Sequence, residues 1–237
     1  MNKDSLGDRM KRYEQANNYT LTPNSWVAIR VDGRAFHTYT RGLQKPFDMD
    51  IIETMVKAAR ETAKDIQGFK IGYVQSDEAT FILTDTSSNE SEPWFGNRLN
   101  KLVSMSASLF TAHFNREADR RPRLYGKLAT FDSRAFLVPE DDVPNLLVWR
   151  QRDWERNSIQ MVAQNLYSHK QLQGKKTSDL HEMLYEKGTN WADLADIYKN
   201  GTFVLPGDEL LHERMVYNDI WDLLHPMMIH DDGELEI

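Results

Sequence analysis

The chain has 237 residues, a formal net charge of −7 and no cysteine. That length holds one large domain or a core with an appendage, and 40% hydrophobic residues suffice for a sizeable interior. Disulfides and thiolate metal sites are excluded, a uniformly basic nucleic-acid binder is disfavoured, and no apolar run approaches the roughly 20 residues of a membrane span.

Residues 1–20 read as a helix or arm, with Leu6, Met10 and Tyr13 at helical spacing. The segment is polar and carries no apolar signal-peptide region, so a cytoplasmic location is expected. Thr22-Pro23-Asn24 breaks it. A first strand follows over 25–31, where Val27, Ile29 and Val31 alternate with Ala28 and Arg30 and the run stops at Asp32-Gly33. Beyond Pro46, Asp50 and Glu53 have the spacing of a capping box, and Ile52, Met55, Val56, Ala59, Ala63 and Ile66 predict a helix ending near Gly68. Two strands, 70–75 and 79–84, flank a Ser76-Asp77-Glu78 turn.

Residues 85–93 form a polar loop. A second amphipathic helix starts at Trp94, with Arg98 and Lys101 on its polar side. An arginine-rich stretch follows (Arg116, Arg120, Arg121, Arg123), and 128–138 is the fourth strand. Pro139 to Pro144 marks a boundary. A long helix is predicted from Asn145 to about Leu166, carrying Arg150, Arg152, Arg156 and Asn157. Shorter helices follow over 178–185 and 191–198, then a last helix near Trp221, with 231–237 frayed. This divides the chain into a catalytic core with an N-terminal arm, 1–140, and a helical region packed on it, 141–237.

The order β-α-β-β-α-β is that of the ferredoxin-like split βαβ unit, an α+β fold. A strand order of 4-1-3-2 puts Asp32 and the Ser76-Asp77-Glu78 turn on one sheet edge, about one strand spacing (~5 Å) apart. Two carboxylates so close repel unless a proton or cation lies between them. With oxygen ligands alone the cation would be Mg²⁺, and two such ions serve phosphoryl or nucleotidyl transfer. The loop Gly33 to His37 offers backbone N–H groups to phosphate oxygens, and Lys45, Arg98 and Lys101 are candidate counter-charges. The plainer alternative, that each aspartate caps a turn, stands beside this. Likewise the basic 116–127 stretch is either a solvated loop or an RNA-backbone contact. There is no GxxxxGK[ST] loop, no GxGxxG, and no partner for His37 in a nucleophile triad. A palm-type cyclase or 5′–3′ polymerase, and a non-enzymatic RNA-binding module, are the rival readings.

The blocks VDGRAFH, QKP, GYVQSDEATF, WFGNRLNKLVSMSASLFTAHF, FDSRAFLVP and LVWRQRD together resemble the tRNA(His) guanylyltransferase family, with its bacterial, archaeal and phage relatives, over about residues 1–205. The resemblance implies a polymerase-like palm that adds nucleotides in the 3′–5′ direction to the 5′ end of tRNA, after a nucleoside triphosphate has activated the 5′ phosphate. It implies two Mg²⁺ ions bridged by Asp32 and Asp77 with the Gly33 carbonyl, and ATP or GTP as nucleotide. It also implies a nucleotide site made of Asp32, Gly33, Arg34, Ala35, Phe36, His37, Lys45, Ser76, Asp77, Arg98 and Lys101. Expected RNA contacts are Arg120, Arg121, Arg123, Arg150, Arg152, Asn157 and Lys199, the last from the late basic-Gly-Thr segment. A tetramer or dimer is expected by analogy. After WRQ, eukaryotic members carry His-Ile-Asn-Asn, whereas this chain has Glu155-Arg156-Asn157-Ser158. That departure favours template-dependent tRNA 5′-end repair over addition of a single G at position −1 of tRNA(His).

Overall fold

A computed structural model of the chain describes residues 5–86 and 92–226. The frayed tail expected over 231–237, and part of the 85–93 loop, lie outside the described residues. Helix α1 (Leu6–Gln15) is capped by Ser5, whose hydroxyl accepts from the Asp8 N–H, and none of its residues is buried. Strand β1 (Trp26–Gly33) runs two residues further than its apolar alternation, so Asp32 sits inside the ladder. After a single-turn helix α2 (Phe36–Tyr39) comes α3 (Met49–Asp65). Its cap is Asp48, which accepts from the Asp50 N–H, so the expected Asp50–Glu53 box does not form. Those two carboxylates instead bind Arg121.

Strands β2 (Phe69–Gln75) and β3 (Glu78–Thr84) make the predicted hairpin. Trp94–Asn97 is a 3₁₀ turn before α4 (Leu99–Ala118). Strand β4 (Phe131–Val138) starts later than expected. The backbone of Ala129 is taken by the Asn115 side chain, which both accepts from its N–H and donates to its carbonyl, so no ladder forms there. Helix α5 (Val143–Leu166) begins with Pro144 in its first turn, where a missing N–H costs nothing. Three short helices follow, α6 (His169–Leu172), α7 (Thr177–Glu186) and α8 (Asp196–Asn200). The stretch expected to be helical also contributes strands β5 (Thr202–Val204) and β6 (Leu210–Leu211) before α9 (Tyr217–Leu224).

The sheet order is β4-β1-β3-β2-β5-β6, and every neighbouring pair is antiparallel. The first four strands have the predicted 4-1-3-2 order; β5 and β6 extend it beyond β2. Side-chain alternation gives the sheet two covered faces. Val27, Ile29, Val31 and Phe81 pack on α3 and α4 with Phe110 and Phe114. Ala28, Ile71, Tyr73 and Ile82 pack on α5 and α9 with Leu147, Phe203 and Ile220. Each fully buried large side chain contributes about 1.5–3 kcal/mol, so two such layers hold the strand ends where the acids lie.

Candidate active site

The register places Asp32 between Glu78 of β3 and Asp132 of β4. Directly beyond, the Gly33 N–H donates to the Asp77 carbonyl at 2.9 Å and the Arg34 N–H to the Thr130 carbonyl at 2.9 Å. The first bond ties the β1 exit to the β2–β3 turn, the second to the residue ahead of β4. Gly33 is required by proximity: a Cβ there would meet Phe36 Cδ2 at 2.4 Å and Asp77 Cβ at 3.0 Å. Ser76 takes a left-handed conformation (φ 50°), and its hydroxyl donates to Asp77 Oδ1 at 3.0 Å. Burial pushes the Asp77 carboxyl above the usual range; the Ser76 hydroxyl opposes the shift and the nearby Asp32 charge adds to it.

Glu78 follows Asp77 directly but has a different role. Its buried carboxylate meets Arg150 Nε at 2.7 Å and Nη2 at 2.9 Å, and also pairs with Arg30. Burial still drives its pKa up, against the pull of Arg150 and Arg30. Arg30 lies 3.6 Å from Asp32 as well, and Arg150 is 3.1 Å from Asp153. Glu78 therefore anchors β3 to α5, and Arg150 is withdrawn from the expected RNA contacts because it is buried and paired.

A cavity of about 510 Å³ opens beside the acids. Gly33, Ala35, Phe36, His37, Lys45, Ser76 and Asp77 are among its lining residues, as are the apolar Phe47, Ile52, Trp154 and Met161. Ala35 is left-handed (φ 52°) and starts α2. The N–H groups of Ala35, Phe36 and His37 make no hydrogen bond among the described residues. Nor do Arg34, His37 and Lys45 make an ion pair there. The lining thus combines donors and positive charge with apolar side chains. Trp154 and Met161 lie on α5, 77 or more positions beyond Asp77 in sequence, and no short motif announces them.

Other expected residues are elsewhere. Arg98 and Lys101 do not join this site within the chain. Thr20 pairs with Arg98 and the Asn97 side chain bonds Thr22, ahead of β1. That is the far end of the sheet, roughly 20 Å from Asp32 at about 3.3 Å per strand residue. Arg121 is bound by Asp50, Glu53 and Glu117; Arg123 by Asp48 and Asp50; Arg120 by Glu117. This basic stretch is an ion-pair clasp on the start of α3. Lys199 donates to the Ala192 carbonyl at 2.7 Å and pairs with Asp196. Arg152 and Asn157 are exposed on α5.

Among the described residues no three His, Cys, Asp or Glu side chains cluster as a metal cage. Asp32, Asp77 and the Gly33 carbonyl are hard oxygen donors, two carboxylates only. That set suits Mg²⁺, which takes one or two carboxylates and completes its shell with water and substrate phosphate. The desolvated Asp77 beside a second carboxylate is the observation that a cation would relieve.

This arrangement of strands, loop and cavity can be compared with known proteins. A family model described as "Thg1: tRNAHis guanylyltransferase" matches residues 7–139. The chain belongs to the tRNA(His) guanylyltransferase family. The tRNA(His) guanylyltransferase of Schizosaccharomyces pombe is 29% identical over 249 residues, covering 94% of this chain and 92% of the relative. A solved structure of a bacterial tRNA(His) guanylyltransferase (Thg1)-like protein in complex with ATP has a TM-score of 0.89 at 39% identity, covering 93% of this chain and all of that one. A second such structure, in complex with GTP, has a TM-score of 0.79 at 34% identity, covering 93% and 100%. The α+β palm is thereby established, and the family member is a nucleotidyltransferase enzyme. The reading as a non-enzymatic RNA-binding module is set aside. Among the described residues no helix is long and apolar enough to cross a membrane.

Proposed function

We propose that this family member adds nucleotides in the 3′–5′ direction to the 5′ end of tRNA, repairing truncated ends by template-dependent addition. The observation that carries the proposal is Asp77, which lines a donor-rich cavity of about 510 Å³ and feels the nearby charge of Asp32 on the strand whose exit it is bonded to. The apolar wall of Phe47, Ile52, Trp154 and Met161 takes a nucleobase; the free N–H groups of 35–37, with Lys45 and His37, take the triphosphate of ATP or GTP. Asp32, Asp77 and the Gly33 carbonyl would hold the Mg²⁺ ions. When bound, these would favour ionisation of the attacking hydroxyl and neutralise charge on the phosphates. The protein's own contribution is orientation. Gly33 and Ser76 fix Asp77, and the Glu78–Arg30 pair fixes the strand that carries Asp32.

Repair is favoured over tRNA(His) maturation by residues 155–158, which depart from His-Ile-Asn-Asn. Glu155 binds Arg214 and Ser158 bonds the Tyr198 carbonyl, so both serve the fold. Identity to the bacterial like-proteins also exceeds that to the fission-yeast guanylyltransferase.

The test uses 5′-truncated, 5′-monophosphorylated tRNA with Mg²⁺, ATP and all four nucleoside triphosphates, on wild type and Asp77→Ala. Templated growth of the 5′ end, absent in the variant, is expected. A single G added only to tRNA(His) would replace repair by maturation. Folded protein that extends neither substrate would refute both.

A further inference from the structure

Strand β4 has a polar row that the nucleotide cavity does not use. Ser133 bonds Ser106 of α4 at 2.7 Å and Ala135 packs in the α3/α4 core, so Asp132, Arg134 and Phe136 face the other way. On that face the register sets Asp132 opposite Asp32, Arg134 opposite Arg30, and Phe136 opposite Ala28. Helices α5 and α9 cover the neighbouring strands but leave this part of β4 open. The Asp132 and Arg134 side chains are 68% and 56% exposed, and Phe136 is 36% exposed.

Two like-charged pairs thus stand directly opposite one another, an arrangement that destabilises a sheet unless something neutralises it. On β1 the neutralising groups are present: Glu78 pairs with Arg30, and Arg30 is near Asp32. On β4 the compensation is a single exposed contact: Arg134 pairs with Asp132 at 3.7 Å, both side chains are more than half exposed, and Arg134 makes no hydrogen bond among the described residues. An arginine held only by that exposed pair, one strand residue pair (about 6–7 Å) from the row containing Asp32, keeps guanidinium donors for a bidentate oxyanion. Phe136, the same step further on, offers a ring at the height of a neighbouring base.

We propose that Arg134 receives the 5′ phosphate of the RNA substrate and that Phe136 stacks a base of the same strand. The proposal rests on the nucleotidyltransferase reading of the Asp32–Asp77 edge. It adds a recognition row on the open side of the sheet, across the acids from the nucleotide cavity. The charges facing Arg134 are Asp132 on its own strand and Arg30, Asp32 and Glu78 from β1 and β3. Because three of these are acids, phosphate binding is measured with Mg²⁺ present.

The experiment measures fluorescence anisotropy with one RNA hairpin carrying either a 5′ phosphate or a 5′ hydroxyl. It compares wild type, Arg134→Gln and Phe136→Leu, with ATP affinity of each taken by calorimetry. Wild type is expected to prefer the phosphorylated RNA. Arg134→Gln should lose about tenfold on that RNA, the effect of one charge-assisted contact, while keeping its hydroxyl-RNA and ATP affinities. Phe136→Leu should weaken both RNAs equally. An Arg134→Gln protein that keeps the preference, or loses equally on both RNAs, overturns the proposal. Loss of ATP binding in that variant would also overturn it, by assigning the arginine to the nucleotide cavity. Wild type that binds ATP but shows no preference for the 5′ phosphate overturns the recognition row alone; wild type that binds no ATP overturns the cavity reading beneath it.

Discussion

Replacing Gly33 by alanine tests the close approach on which the active edge depends. The new Cβ would lie 2.4 Å from Phe36 Cδ2, 3.0 Å from Phe36 Cε2 and 3.0 Å from Asp77 Cβ. Carbon atoms in good contact sit about 3.5–4.0 Å apart, so more than 1 Å of relief is needed. Phe36 has nowhere to go: it is 6% exposed, with Tyr39, Phe131 and Phe114 at ring distances of 5.0, 5.4 and 5.6 Å. Overpacking of this kind costs about 1–3 kcal/mol. At about 2–4 °C per kcal/mol for a chain of this size, Tm should fall by roughly 2–12 °C. If the strain instead moves Asp77 by about 1 Å, the rate should fall about 10²-fold. Gly72→Ala is the control. Its Cβ would have neighbours no closer than 3.5 Å, ordinary contact, and alanine restricts the unfolded chain, so Tm should hold or rise. The assay pairs a melting curve with steady-state nucleotide addition for both variants. A Gly33→Ala enzyme with unchanged Tm and a kcat within about twofold of wild type would refute the steric reasoning; no overpacked core gives that result.

Arg150→Met leaves Glu78 buried with Arg30 alone. Breaking a buried pair costs about 3–5 kcal/mol, and the remaining arginine argues for the lower end, a Tm drop of roughly 6–12 °C. Adding Glu78→Gln should restore part of that loss, which a double-mutant melting series would read. Asp77→Asn should abolish activity while changing the pH dependence of stability. The Asp77 carboxyl is raised in the fold, so its charged form opposes folding. Its favourable contribution is present below the ordinary carboxylate pKa and lost as pH rises through the raised one. The variant's Tm should therefore gain on wild type as pH rises through that window, and an unchanged gap would contradict the burial argument. Lys45→Ala should weaken ATP binding, seen as a higher KM with little change in kcat, because in the proposed site its charge would meet the triphosphate before and during reaction alike.

The catalytic half of the fold was legible because it follows from side-chain period. Val27, Ile29 and Val31 alternate, Met55, Val56, Ala59 and Ala63 recur helically, and one chain order then fixes where Asp32 and Asp77 meet. What was not legible depended on length or on three-dimensional partners. Strand β5 has three residues, too few to alternate visibly, and it is held by β2 and by Tyr73, whose hydroxyl donates to the Asn200 carbonyl at 2.7 Å. Composition marks Arg120, Arg121 and Arg123 as basic but does not say that Asp48, Asp50, Glu53 and Glu117 fold onto them. Arg98 and Lys101 looked close to the acids because helix α4 hides its direction; the acids neighbour its C-terminal end. For Arg150 the signal was there. Val143, Leu147, Arg150 and Trp154 form one helical stripe, and an arginine in an apolar stripe needs a buried acid.

That acid is Glu78, and its separation from Asp77 is the central economy of the site. The two carboxylates are adjacent in sequence, yet strand geometry divides them. Asp77 is a turn residue outside the ladder, so its side chain is free to line the cavity, where the Ser76 hydroxyl bonds it. Glu78 is the first ladder residue of β3, and pairing with Asp32 sends it to the face that α5 covers. There Arg30 and Arg150 neutralise it. Asp32, Asp77, Glu78 and Asp132 therefore lie at one sheet edge, and of these it is Asp77 that lines the cavity. An arginine aimed at Asp77 instead of Glu78 would compete with a cation. The Ser-Asp-Glu order lets a single tight turn supply one acid to the cavity and one for anchorage.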